Sequence, residues 1–268
     1  MVLSLRKNVI ELWRFRELLW ELSSAYLKLR HAGSVLGFLW TLLNPIFYIA
    51  TYWLVFSFVI KMGMPNYPMF LIPGYLAWNF TFGGILGASE SIIHGKHLIT
   101  KIAFPTEILT LASVLVAFID FILSVIIFGL GLLVADLLFS FNFTINAGLL
   151  LYLPIIIFFH FFFTSGVSLL AAAASVFFKD LPKLINVFGN LFFFMTPIFY
   201  PIEYIPEKFQ FIALANPVAV IVRAYQNIIY YGRVDLQHLF LLAVSSTVIF
   251  LAGFFIFNKT KHSFAEIS

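Results

Sequence analysis

The sequence predicts an all-α integral membrane protein with six spans, and two observations lead there. Charged residues are clustered, leaving uncharged runs at 32–60, 62–89, 108–135 (broken only by Asp120), 137–178, 184–202 and 236–258. A hydrocarbon core of about 30 Å takes roughly 20 helical residues to cross, and inside it the backbone must satisfy its own hydrogen bonds, so runs of this length form helices. The second observation is composition. Of 268 residues, 62% are hydrophobic and 10% charged, with a mean hydropathy of +1.01, too little polar surface for a soluble monomer. Residues 1–268 read as a single membrane domain.

Residues 4–30 come first, carrying Leu5, Val9, Leu12, Leu19, Trp20 and Leu27 on one face and Lys7, Glu11, Arg14, Glu17, Glu21 and Lys28 opposite. That pattern predicts an amphipathic helix at the membrane surface, with Trp13 and Trp20 at headgroup level. Glu11, Glu17 and Glu21 interrupt any uniform apolar stretch, so the segment is not expected to be a cleaved signal. Spans are expected at 33–60, with Pro45 inside, and at 67–89, joined by a short outer loop. Gly33 and Gly37, like Gly83 and Gly87, are four apart, a spacing that lets another helix approach.

A basic loop follows, expected to hold a short helix at 94–106 along the membrane, and spans at 108–135, 148–178 and 184–200 come next. The apolar stretch 209–222 is too short to cross. Bracketed by Pro206, Pro217 and Arg223, it predicts a re-entrant pair of external helices over 206–231 with its turn at Asn216 and Pro217, a backbone tolerated only where protein or water surrounds it. The last span is 236–257. With both termini cytoplasmic, 12 of the 16 Lys and Arg lie inside, leaving Lys61, Lys208, Arg223 and Arg233 outside, as the positive-inside rule requires.

The net charge of +4 belongs to that asymmetry and not to a nucleic-acid surface. With no cysteine there is neither a disulfide framework nor a thiolate metal site. A P-loop is lacking as well, since the single Gly-Lys pair, Gly95–Lys96, runs into His97. His94 and His97 are three apart with only Glu90 as a third ligand, so no metal site and no catalytic constellation are expected. Asp120 admits two readings: the proton site of a coupled carrier, or a hydrogen-bonded carboxyl that fixes packing against Ser124 or His160. A lone intramembrane acid without a relay favours the second. Aromatic residues make up 19% of the chain, 35 of them Phe, beyond what two interfaces need. Trp40, Tyr48, Tyr52, Phe193, Phe199 and Tyr200 cluster on the first and fifth spans, and rings of this kind stack on the apolar faces of sugars.

Four strings in succession then identify a resemblance: SVLGFLWTLLNP (34–45), LITKIAFPTE (98–107), VFFKDLPKLIN (176–186) and MTPIFYPIEYIP (195–206), followed by Asn216–Pro217. Together they resemble the permease subunits of ABC type-2 exporters that move bacterial polysaccharides, in particular O-antigen exporter permeases.

The resemblance implies a homodimer in the bacterial inner membrane with two copies of a separate nucleotide-binding subunit. That partner binds the ATP and Mg, and this chain carries no cofactor. It implies a cargo of polysaccharide on undecaprenyl diphosphate, moved outward through a tunnel walled by spans one and five, with Trp40, Tyr48, Tyr52, Phe193, Phe199 and Tyr200 along the polymer path. It further implies that His94, Lys96, His97, Lys101, Phe104 and Glu107 belong to a helix that couples to the ATPase, and that Arg14, Arg16, Lys28 and Arg30 form a rim for the lipid diphosphate. Within the same family teichoic-acid or capsule export stays open. From other classes, a proton-coupled carrier would use Asp120, and a membrane enzyme of sugar transfer would pair Asp120 with His160.

Overall fold

The computed structural model describes residues 10–30, 32–139 and 146–264; the expected first turns of the surface helix, at 4–9, lie outside them. The described residues are helical with no strand. After a helical turn at 10–14, the elements are α1 (Arg16–Arg30), α2 (Trp40–Leu54), α3 (Tyr67–His94), α4 (Lys96–Ile99), α5 (Glu107–Phe139), α6 (Leu153–Phe177), α7 (Leu181–Met195), α8 (Glu207–Ala215), α9 (Pro217–Ile229) and α10 (Leu236–Thr260). Short 3₁₀ turns lead into α2 and α6, and a π-helical turn, Val55–Val59, ends the first span. Five stretches among the described residues are long and apolar enough to cross a bilayer: Gly37–Val59, Tyr67–His94, Glu107–Leu138, Gly148–Phe177 and Leu236–Thr260.

Several bounds differ from the sequence expectation. The second span runs on to His94, because no helix breaker intervenes before Gly95. The helix expected at 94–106 is reduced to Lys96–Ile99: His94 belongs to α3, and the chain turns through 100–106, where Pro105 cannot donate to a continuing helix. The fifth span is the largest correction. α7 has 15 residues, about 22 Å at 1.5 Å per residue, short of a bilayer core of about 30 Å. Pro197 stops it, since the residue before a proline is pushed out of helical geometry, and Thr196 is extended with ψ 136°. The rest of that level is irregular chain, with Ile198 and Phe199 fully buried.

α3 is the central rod, packed against α5, α6 and α9, while α6 pairs with α10 and α1 lies along α5. In lipid the driving force for association is close packing, so small residues matter. The tight approaches are not at the expected glycine pairs. Gly33 and Gly37 have φ of +78° and +47° and form the left-handed turn between α1 and α2, while Gly83 has open space beside it. The backbones meet instead at Gly166 of α6 and Gly253 of α10, where a Cβ on Gly166 would sit 2.6 Å from Phe250 Cα.

The α8–α9 pair bends by 97° at the expected Asn216–Pro217 turn. Asn216 caps α9 by accepting the Val218 N–H at 3.0 Å and donates to Thr196 Oγ1 at 3.0 Å, pinning the bend to the end of α7. α10 starts on Asp235, whose carboxylate accepts the His238 N–H at 3.1 Å and meets the His238 ring at 2.6 Å. That backbone bond, ahead of the ring contact, holds Asp235 below the usual carboxylate range.

Candidate functional site

The bundle has one basic end, where Lys96, Lys101, Lys179, Lys183, Lys259 and Lys261 gather on α4, the α6–α7 turn and the end of α10. Two polar cavities share part of their lining. The first, about 620 Å³, lies between α1, α3 and α5 and is lined by Tyr26, Arg30, Asn79, Gly83, Gly87, Glu90, His94, Ser113 and Asp120 among others. The second, about 390 Å³, is lined by Arg30, Ser34, Trp40, Thr41, Asn44, Tyr48, Tyr75, Asn79 and Asp120. Arg30, Asn79 and Asp120 belong to both. A third cavity of about 400 Å³, between α3, α5 and α9, is walled by side chains such as Leu76, Phe128, Leu132 and Ile157, with Tyr225 the polar exception; it has almost nothing to offer a polar ligand.

At the junction Arg30 Nη2 meets Asp120 Oδ2 at 2.6 Å. α1 reaches this point by running alongside α5 in step, with Ser23 Oγ at 3.4 Å from Ala112 O and Arg30 beside Asp120. Asp120 lies near the middle of Glu107–Leu138, the stretch of α5 long and apolar enough to cross a bilayer. Its side chain is 15% exposed and paired with Arg30, the arrangement in which a membrane tolerates a carboxylate.

Asp120 and His160, one of the alternative pairings, have separate partners. His160 is fully buried, with Nε2 at 2.7 Å from Thr81 Oγ1 and Nδ1 at 3.2 Å from Tyr225 OH. It is Phe121 that faces the imidazole, ring centroids 5.7 Å apart, and successive helical residues point about 100° apart. The contact ties α9 to α3 and α6 and occupies both ring nitrogens.

Beyond the second cavity an aromatic cluster continues. Tyr48 lies against Tyr52 and Tyr75, both at 6.2 Å. Tyr52 contacts Phe193 at 5.7 Å and Phe199 at 4.7 Å, and Phe199 stacks on Phe56 at 4.9 Å. The structure thus joins Tyr48, Tyr52, Phe193 and Phe199 from distant parts of the chain, and Trp40 lines the second cavity with Tyr48. Trp40 and Tyr48 are 39% and 54% exposed, whereas Phe193 is 7% and Phe199 0%. The two phenylalanines therefore back the tyrosine face within one chain. Tyr200 packs against the same cluster without a ring stack, its hydroxyl donating to Phe194 O at 2.7 Å. Tyr75, Phe56, Asn44 and Asn79 were missed by sequence reasoning, since no local pattern marks which face of α2 or α3 turns to a cavity.

At the basic end a second apolar cluster holds the connecting loop. Leu98, Ile99 and Phe104 pack against Ile92, Leu109, Leu169, Phe254, Phe257 and Phe264. Lys96, His97 and Lys101 are left exposed on the outside, and His94 is exposed in the lining of the first polar cavity. Glu107 is instead buried, bonded by Lys261 Nζ at 2.8 Å. Of the expected diphosphate rim, Arg14, Arg16, Lys28 and Arg30 are all exposed on α1 or the turn before it. Arg16 stacks over Trp13 at 5.4 Å, and Arg30 is the one engaged by Asp120.

These features are those of a multi-pass membrane component of a transporter, with adjoining polar cavities, an aromatic cluster beside them and an apolar-backed basic loop. Residues 17–230 match the ABC-2 type transporter family, and the chain belongs to that family. Among similar proteins, the O-antigen export system permease protein RfbA of Myxococcus xanthus is 33% identical over 96% of this chain and 98% of its own length. The protein of the same name from Klebsiella pneumoniae is 29% identical over 94% of this chain and 95% of its own.

Proposed function

We propose that this chain is the membrane-spanning subunit of an ATP-driven exporter that carries undecaprenyl-diphosphate-linked O antigen outward across the bacterial inner membrane. The observation that carries the reading is full-length similarity to O-antigen export permeases together with a route of polar cavities and tyrosines from the basic end. The basic end is then cytoplasmic, as positive-inside asymmetry requires, and both termini lie there.

α2 with the π-helical turn after it, and α7, pack sparsely on their own bundle and expose Leu54, Phe58, Leu184, Phe188 and Phe192. In a homodimer these two helices face each other and enclose the path, with Tyr48 and Trp40 turned to it. Many weak ring contacts suit a polymer that must leave each position as readily as it arrives. The bent α8–α9 pair closes the outer end.

Two copies of a nucleotide-binding subunit dock on the exposed residues of the α4 loop, His94, Lys96, His97 and Lys101, and bind the ATP and Mg. Phe104 and Glu107 transmit their movement inward. Arg14, Arg16 and Lys28 hold the lipid diphosphate at the membrane surface. Deleting the gene and measuring surface polymer tests the reading: loss of O antigen with its intracellular accumulation is expected, and unchanged surface polymer refutes it. Loss of teichoic acid or capsule in place of O antigen moves the cargo within the family.

A further inference from the structure

We propose that Arg30, Asp120 and Asn79 form a saccharide-binding threshold where the two polar cavities meet, and that the sugars, not the diphosphate, are what this site holds. The assignment deepens the export reading and rests on it.

Its first support is charge. Arg30 is compensated by Asp120 at 2.6 Å, and Glu90 adds a further carboxylate to the same cavity wall. A diphosphate would meet one spent guanidinium and two acids there, a poor exchange for its water. A neutral hydroxyl-rich ligand meets the opposite situation. Hydroxyls donate to a carboxylate and accept from a guanidinium, whose five N–H donors are not exhausted by one bond to Asp120, and charge-assisted bonds of this kind are the strong ones.

The second support is convergence. Four helices each bring a planar polar side chain to the second cavity or its rim: Arg30 from α1, Asn44 from α2, Asn79 from α3 and Asp120 from α5. Trp40 and Tyr48 line the same wall, supplying ring faces beside the hydrogen-bonding edges. The pair is open to the cavities, with Arg30 44% and Asp120 15% exposed at the side chain, so both groups present hydrogen-bonding edges to a ligand there. At about 390 Å³ the cavity is of the size that takes a small ligand, here one or two sugar rings. The site lies before the tyrosine cluster in the path, so each sugar passes it first.

The test uses the complete exporter with its ATPase, expressed in a strain lacking the chromosomal copy, and follows surface O antigen alongside co-purification of the ATPase. Asp120→Asn, Arg30→Gln and Asn79→Ala are each expected to lower export about tenfold, the scale of one charge-assisted hydrogen bond. The charge-swapped variant, Arg30→Asp with Asp120→Arg, is expected to assemble with the ATPase but not to recover export. A photocrosslinker in place of Ser34, on the second cavity wall, is expected to capture polymer in the parent and much less in Asp120→Asn.

Full export by the swap shows that the pair is a helix clasp and overturns the assignment. Parent-level export by Asp120→Asn overturns it too. Where Asp120→Asn fails to assemble, Asn79→Ala decides: reduced export with normal assembly supports the threshold, and normal export removes it. If the deletion strain keeps its surface polymer, the export reading itself fails. If the deletion strain loses it while Asn79→Ala and Asp120→Asn export normally, only the threshold fails.

Discussion

Lys261→Ala is the sharpest probe of how the basic end is held together. Glu107 begins α5 and its side chain is 2% exposed, with Lys261 at 22%. Glu107 Oε1 takes the Lys261 ammonium at 2.8 Å, while Glu107 Oε2 and the neighbouring Thr106 Oγ1 are buried and have no hydrogen-bond partner among the described residues. Removing Lys261 therefore strands a carboxylate with nothing to compensate it. Breaking a buried pair from one side costs about 3–5 kcal/mol, and the lower figure applies here because Lys261 keeps some contact with water. By the scale of chains of 150–250 residues, about 3 kcal/mol lowers a melting midpoint by roughly 6–12 °C. The assay is the midpoint of thermal aggregation of the detergent-solubilised complex. The paired variant, Glu107→Gln with Lys261→Met, removes both charges at similar volume and should stay within about 1 kcal/mol of the parent, because a buried pair adds little net stability over apolar packing. A Lys261→Ala midpoint equal to the parent's would refute the reasoning and detach the C-terminal turn from the connecting loop.

Three further outcomes follow from the same geometry. Tyr52→Ala should slow polymer export without changing the amount of assembled complex, whereas Phe199→Ala, at a fully buried position, should cost about 3–5 kcal/mol and lower the amount itself; quantitative blotting beside surface-polymer measurement separates the two. Tyr225→Phe leaves a buried His160 nitrogen unpaired at about 1–3 kcal/mol and loosens the α8–α9 pair, read as faster hydrogen exchange in α9 than in α10. Replacing Lys96 and Lys101 together by Glu should abolish co-purification of the ATPase, since both are exposed and nothing in the bundle depends on them; retained binding would move the docking face elsewhere.

How much was legible in the sequence depended on how local each signal was. The apolar helices of crossing length, the helix at 16–30 and the Asn216–Pro217 bend come from hydropathy length and proline position, which act on neighbouring residues. The end of the fifth span was misplaced because a run of apolar residues does not say where Pro197 halts the helix.

Hydrophobicity and its interruptions alone determine that this chain threads a membrane as helices, since lipid enforces backbone hydrogen bonding whatever the side chains touch. Which groups meet was decided by tertiary packing. Arg30 finds Asp120, ninety residues away, because α1 runs in step with α5, and Lys261 finds Glu107 because α10 ends beside the connecting loop. Phe199 is buried while Tyr48 is presented, though both are aromatic residues near a proline. Such outcomes depend on helix rotation and relative depth, and these are set by the close approach of backbones such as those at Gly166 and Gly253, which no stretch of neighbouring residues encodes.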